Sequence, residues 1–194
     1  MNSRITDLFV DDLSFLTQEE ISKFKHICYA KNNIIYAQKY KFLIILNGKG
    51  KLNYYDSDGK EFILTYANKG GYVILDKWTS FEIIENCEIL EISIYKLFEL
   101  LDNTKFTNSI INALLKNITM HRNLIKNLVF DNIETRTLNF LKQNSQNGKI
   151  HIKHGVTEIS NFIGAPRQNV SSAITKLVKH KKIKKIDNDT FEIY

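Results

Sequence analysis

The chain is expected to fold in the α+β class, with an N-terminal antiparallel β-barrel of the cupin-like jelly-roll kind, then a long helix built for pairing, then a winged helix-turn-helix. Three observations predict this. Between residues 33 and 93 lie short runs rich in β-branched and aromatic residues, separated by turn sequences. Between residues 111 and 128 apolar residues recur at steps of three and four. Residues 156–178 read as two short amphipathic helices around Gly164-Ala165-Pro166, and a hairpin pattern follows them.

At the N-terminal end, Thr17 and Glu20 form a capping box, with Leu16 and Ile21 placed as its hydrophobic staple. This predicts a short helix from Gln18 to about His26. The strand-like runs follow at residues 33–37, 42–46, 52–55, 61–66, 72–75, 81–85 and 88–93. Turn signals fall between them at Asn47-Gly48, at residues 56–59 and at residues 68–71.

The chain turns helical again from Tyr95. Ile111, Leu114, Ile118, His121, Ile125 and Leu128 make a heptad seam over about five turns, apolar except at His121. Part of this helix must cover the barrel, but so regular a seam predicts a two-fold homodimer. Asp131 or Asn132 can cap a new helix running to about Leu141. Three segments are therefore expected: a barrel at residues 1–103, a dimerisation helix at 104–130 and a winged helix-turn-helix at 131–194. The polar loop 143–148 leads into the last of these.

In the second helix of the C-terminal pair, Val170, Ile174, Leu177 and Val178 are assigned to the buried face. Arg167, Gln168, Ser171 and Ser172 then point outward near its start. Such a helix suits a DNA major groove, because Arg donates two hydrogen bonds to guanine and Gln pairs with adenine. Residues 176–185 carry six lysines and no acid. Asn169, Lys176, Lys181 and Lys182 are the candidate phosphate contacts flanking the reading helix. A helical hairpin with a solvated polar face is the alternative reading.

Composition agrees with a globular nucleic-acid binder. The 194 residues allow one or two cored domains, 43% are apolar and 25% charged, and the formal net charge is +6. Cys28 and Cys87 are isolated, so no metal site, zinc or cysteine-ligated iron–sulfur, is expected. Lone cysteines without an export signal predict a reducing cytoplasm, and no run is long and apolar enough to cross a bilayer. Ser/His/Asp order, HExxH and a phosphate-cradling glycine loop are all missing, so no enzymatic activity is expected.

The order of these parts resembles the CRP/FNR family of bacterial transcription regulators, over nearly the whole chain. The most specific stretch is residues 56–70, which is similar to the corresponding barrel strands of cyclic-AMP-binding members. Residues 42–48 match an aromatic-x-Ile-x-x-Gly strand and turn, residues 127–130 resemble the hinge, and Glu158, Ile159, Gly164, Arg167 and Val170 match the helix-turn-helix. The resemblance implies a homodimer on an inverted-repeat DNA operator, with RNA polymerase as a further partner if the protein activates.

The departures bear on the signal. In cyclic-AMP-binding members a glutamate holds the ribose, and an Arg-Ser-Ala cassette holds the phosphate. Leu75 stands at the glutamate position, the region 76–80 is shortened, and Lys77 is its one cation. An anion needs several convergent donors, so cyclic AMP is not expected to bind in the family's manner. By alignment back from Asn127, His121 and Arg122 fall where the family's long helix touches ligand. Tyr72, Leu75, Lys77, His121 and Arg122 are therefore the candidate effector pocket. His121 is a register residue, a pH-sensitive group or, as a lesser alternative, a haem ligand for a nitric oxide or carbon monoxide sensor. A regulator that responds to a signal other than cyclic AMP, and an effector-independent repressor or architectural protein whose barrel is a scaffold, both remain open. In the reading helix Gln168 replaces the family's acid and Ser172 its second arginine, which predicts an operator different from that of cyclic-AMP-binding members.

Overall fold

The computed structural model describes residues 17–194, which divide into two compact units, 17–120 and 121–194. The first unit opens with helix α1 (Gln18–Ser22). The capping box forms as its residues dictate. Glu20 N–H donates to Thr17 Oγ1 at 3.1 Å, and Thr17 N–H donates to Glu20 Oε2 at 2.7 Å. Leu16, the expected staple residue, lies outside the described residues.

The helix is shorter than the sequence predicts. Residues 25–29 are instead strand β1 (Lys25–Tyr29), drawn into extended form by antiparallel pairing with β6. Then follow β2 (Ile34–Tyr36), β3 (Lys41–Tyr55), β4 (Glu61–Asn68), β5 (Tyr72–Leu75) and β6 (Thr79–Ser93). Together they form one six-stranded antiparallel sheet of order β1-β6-β3-β4, with β2 on β6 and β5 on β3. The two long strands, β3 and β6, each join runs that the sequence separates.

Asn47-Gly48 does not end a strand. The register of β3 against β6 shifts around it, and Gly48 sits at φ +89°. This is bulge geometry, in which a glycine lets one strand bend without breaking its ladder. A Cβ at Gly48 would lie 2.1 Å from the Asn86 carbonyl oxygen. Gly48→Ala therefore combines left-handed strain with overpacking, and is expected to cost about 2–4 kcal/mol. A urea-unfolding midpoint unchanged from the parent protein would contradict the bulge.

Alternation along the strands makes two apolar clusters. Phe42, Ile44, Tyr72, Leu90 and Ile92 face Leu97, of helix α2 (Ile94–Phe98), and Phe106, Ile110 and Ala113, of helix α3 (Thr104–Phe130). On the other side of the sheet Leu43, Ile45, Val73, Leu75, Phe81, Ile83 and Ile89 pack on one another. The Cys87 thiol belongs to this second cluster, and burial pushes its pKa up to about 11.

The second unit contains the last turns of α3, helix α4 (Ile133–Asn144), β7 (Lys149–His151), α5 (Gly155–Ile163), α6 (Arg167–Lys179), β8 (Ile183–Lys185) and β9 (Thr190–Ile193). Asn132 caps α4 by accepting from Thr135 N–H at 2.8 Å. The expected hairpin is present, with Ile183 opposite Ile193. A third strand joins it, since β7 pairs with β9 at the end of what the sequence reads as a polar loop. Phe140, Leu141, Ile159, Phe162, Val170, Ile174, Leu177 and Phe191 are all buried. The assignment of Val178 to this face is corrected, because it is 40% exposed and Ala173 is buried instead. At 100° per residue Val170, Ala173, Ile174 and Leu177 span an arc of about 100°, and Val178 lies about 40° outside it.

Candidate nucleic-acid interface

Gly164 ends α5 at φ +65°, the left-handed conformation a helix C-terminus favours. Pro166 then starts α6 and leaves Arg167 at its first helical position. The turn is braced from outside: Arg136 on α4 donates through Nη1 to the Ile163 carbonyl at 2.9 Å. A guanidinium at a helix C-terminus also favours the local dipole. Arg136 is thus a positioning residue for the leading end of α6, missed in the sequence because its partner lies 27 residues away.

The inner face of α6 is closed by Val170, Ala173, Ile174 and Leu177, which fixes what faces out. Arg167, Gln168, Asn169, Ser171, Ser172 and Lys176 are all exposed. Arg167, Gln168, Ser171 and Ser172 share the first two turns, and the first turn carries no acid. Asn169, Ser172 and Lys176 also line a groove with Asn132 and Arg136 at the start of α4.

At its other end α6 closes in a Schellman motif. Lys182 N–H donates to the Leu177 carbonyl at 2.9 Å and Lys181 N–H to that of Val178 at 3.0 Å. Lys181 takes the left-handed position, with φ +55°. The motif turns the chain directly from helix into β8, so Lys176, Lys181, Lys182, Lys184 and Lys185 are exposed on consecutive elements. His180 Nδ1 lies 3.5 Å from Glu134 Oε1, which ties this corner to the first turn of α4.

The seam residues of α3 stay in water within one chain. Ile111 is 49% exposed, Ile118 46% and Ile125 60%, and Leu114, Leu128 and His121 are exposed as well. The face of α3 that meets the sheet is a different one, made by Phe106, Ile110 and Ala113, with Asn117 Nδ2 donating to Tyr72 Oη at 2.7 Å.

Of the expected effector-pocket residues, Tyr72, Leu75 and Lys77 lie apart within the first unit. Tyr72 stacks on Phe42 in the cluster beneath α3, at a centroid distance of 5.3 Å. Burial pushes its phenol pKa upward. Leu75 belongs to the apolar cluster on the opposite side of the sheet. Lys77 is exposed, with Nζ over the Trp78 ring. His121 and Arg122 fall in the second unit, both exposed. Among the described residues no group of His, Cys, Asp or Glu side chains is placed to hold a metal ion, and no helix is long and apolar enough to cross a membrane.

No family model and no curated protein matches the sequence. Solved structures do match over nearly the full length. A variant of CooA from Carboxydothermus hydrogenoformans is 19% identical with a TM-score of 0.78, covering 99% of this chain and 94% of its own. CLP from Xanthomonas campestris, described as a c-di-GMP responsive global regulator, is 16% identical with a TM-score of 0.75, covering 94% of this chain and 99% of its own. FixK2 from Bradyrhizobium japonicum is 13% identical with a TM-score of 0.68, covering 88% of this chain and 92% of its own. These neighbours are CRP/FNR regulators, and this chain shares their fold.

Proposed function

We propose that this chain is a sequence-specific DNA-binding transcription regulator of the CRP/FNR type, acting as a homodimer on an inverted repeat. The observation that carries the reading is the exposed leading end of α6. Arg167, Gln168, Ser171 and Ser172 project from a helix fixed on its inner face, beside a lysine-rich segment that carries no acid. α5, α6 and the β8–β9 hairpin then act as a winged helix-turn-helix, with α6 in the major groove. Arg167 reads guanine and Gln168 adenine, while Asn169, Lys176, Lys181 and Lys182 hold phosphates.

The seam of α3 pairs two copies through Ile111, Leu114, Ile118, Ile125 and Leu128, with His121 setting register. Selection from randomised duplexes is expected to enrich an inverted repeat with half-sites about one helical turn apart. Enrichment of a single half-site, or of no motif, would overturn the proposal.

Cyclic AMP is not the signal in this reading. Leu75 is fully buried among apolar side chains, and the sequence carries no Arg-Ser-Ala cassette after it. Thermal-shift titration is expected to show no micromolar binding of cyclic AMP. One further neighbour is a CO-dependent transcription factor, so haem at His121 is the lesser alternative. It requires a Soret band on reconstitution that disappears in His121→Ala. The enrolment of His121 in the exposed seam supports the register role instead.

Lys181 separates stability from binding. Replacement by glycine relieves its left-handed backbone and is expected to stabilise the fold by up to about 1 kcal/mol. On a dimer the same change removes two phosphate contacts, one per half-site, and lowers the salt slope of DNA binding by about 1.8. Lys182→Ala is expected to lower the slope alike without the gain in stability. A salt slope unaltered in both variants would remove these lysines from the interface.

A further inference from the structure

From the first unit we infer a second ligand site, an open groove that binds a nucleoside polyphosphate where β1, β3, β6 and α2 meet. Sheet topology assembles it from residues far apart in sequence. Lys25 of β1 pairs across to Glu91 of β6, and Lys41 of β3 pairs to Ser93 of the same strand. The segment linking β2 to β3 brings Lys39 and Tyr40, and α2 brings Lys96. The groove they enclose is about 540 Å³, within the range of small-molecule sites.

Its charge is one-sided. Lys23, Lys25, Lys39, Lys41 and Lys96 line it against one acid, Glu91. That carboxylate is already held, by Lys41 Nζ at 3.0 Å and by the Tyr29 hydroxyl. Lys23 is drawn to Glu99 at 3.4 Å. Lys25, Lys39 and Lys96 have no ion-pair partner among the described residues. Three lysines lining one groove without an ion-pair partner favour a ligand carrying several negative charges over a monoanion.

The groove also offers flat apolar surface. Tyr36 is 63% exposed and Tyr40 58%, and both line the same hollow. Exposed rings beside a lysine cluster suit a base stacked on tyrosine with its phosphates on the ammonium groups. Gln38, also in the lining, supplies an amide able to pair with a base edge. A bare polyphosphate uses the lysines alone, and an acidic peptide does not use the rings by stacking. A nucleoside polyphosphate uses both.

Calorimetric titration of the full chain, without DNA and at low ionic strength, tests this directly, with adenosine and guanosine triphosphates and inorganic tripolyphosphate as probes. One of the nucleotides is expected to bind at micromolar concentration, at least ~10-fold more tightly than tripolyphosphate, as one stacked base contributes. The combined Lys25→Ala, Lys39→Ala and Lys96→Ala variant should weaken every probe at least ~10-fold. Tyr36→Leu with Tyr40→Leu should weaken the nucleotide and leave tripolyphosphate unchanged. All five positions are exposed, so circular dichroism should show the parent fold. Tripolyphosphate bound as tightly as nucleotide, nucleotide binding indifferent to the lysine variant, or no binding of any probe would each overturn the inference. The readout is independent of operator binding, so either proposal can fail while the other stands.

Discussion

Arg167→Ala is expected to abolish most discrimination at one base pair of each half-site. The side chain stands at the first helical position of α6, exposed, with the turn behind it held by Gly164 and by the Arg136 bond to the Ile163 carbonyl. A bidentate arginine–guanine contact contributes about 1–3 kcal/mol of selectivity. Two half-sites double the effect on a dimer, so affinity for the selected operator should fall far more than affinity for random duplex. Competition binding with single-base operator variants separates the two. If all sequences weaken equally, Arg167 is a phosphate contact and the base-reading role falls.

Leu114→Asp combined with Ile118→Asp is expected to leave a folded monomer. Both side chains are exposed within the chain, so neither change opens a cavity in the core. In a paired seam each apolar side chain withdrawn from water contributes about 1.5–3 kcal/mol, and the two changes remove it from both partners. The dimer dissociation constant should rise by at least ~1000-fold, which corresponds to roughly 4 kcal/mol. Sedimentation should show one chain per particle, circular dichroism should keep the helical signal, and operator binding should be lost. A dimer that survives would mean that the copies pair elsewhere.

Both the seam of α3 and the leading end of α6 are legible in the sequence. The steps of three and four from Ile111 to Leu128 are visible in the sequence because a helix repeats its face at that period. They stay unexplained by the core because a second face, from Phe106 to Ala113, meets the sheet. The first turns of α6 are legible for a like reason, since the inner stripe fixes which residues remain outside. The stripe's edge is where the reading slips, and Val178 is exposed there.

Strand boundaries are less legible. Asn47-Gly48 carries the composition of a hairpin turn, yet a bulge in a continuous strand needs the same left-handed backbone. The capping box marks where α1 begins, but nothing local marks its end before Lys25. Pairing with β6 decides that, and pairing is long-range. β7 is three residues long and exists through β9. The basic groove is the extreme case. Lys25, Lys39 and Lys96 have no common motif, and the pairing of β1 and β3 with β6 brings β1, the β2–β3 link and α2 to one place.

Function turns on whether two copies present α6 to one side of a duplex. Hydroxyl-radical footprinting of the selected operator measures this most directly. Two protected patches on the same face, centred about one helical turn apart, are the predicted result. A single patch, or cleavage indistinguishable from free DNA at low salt, would contradict it.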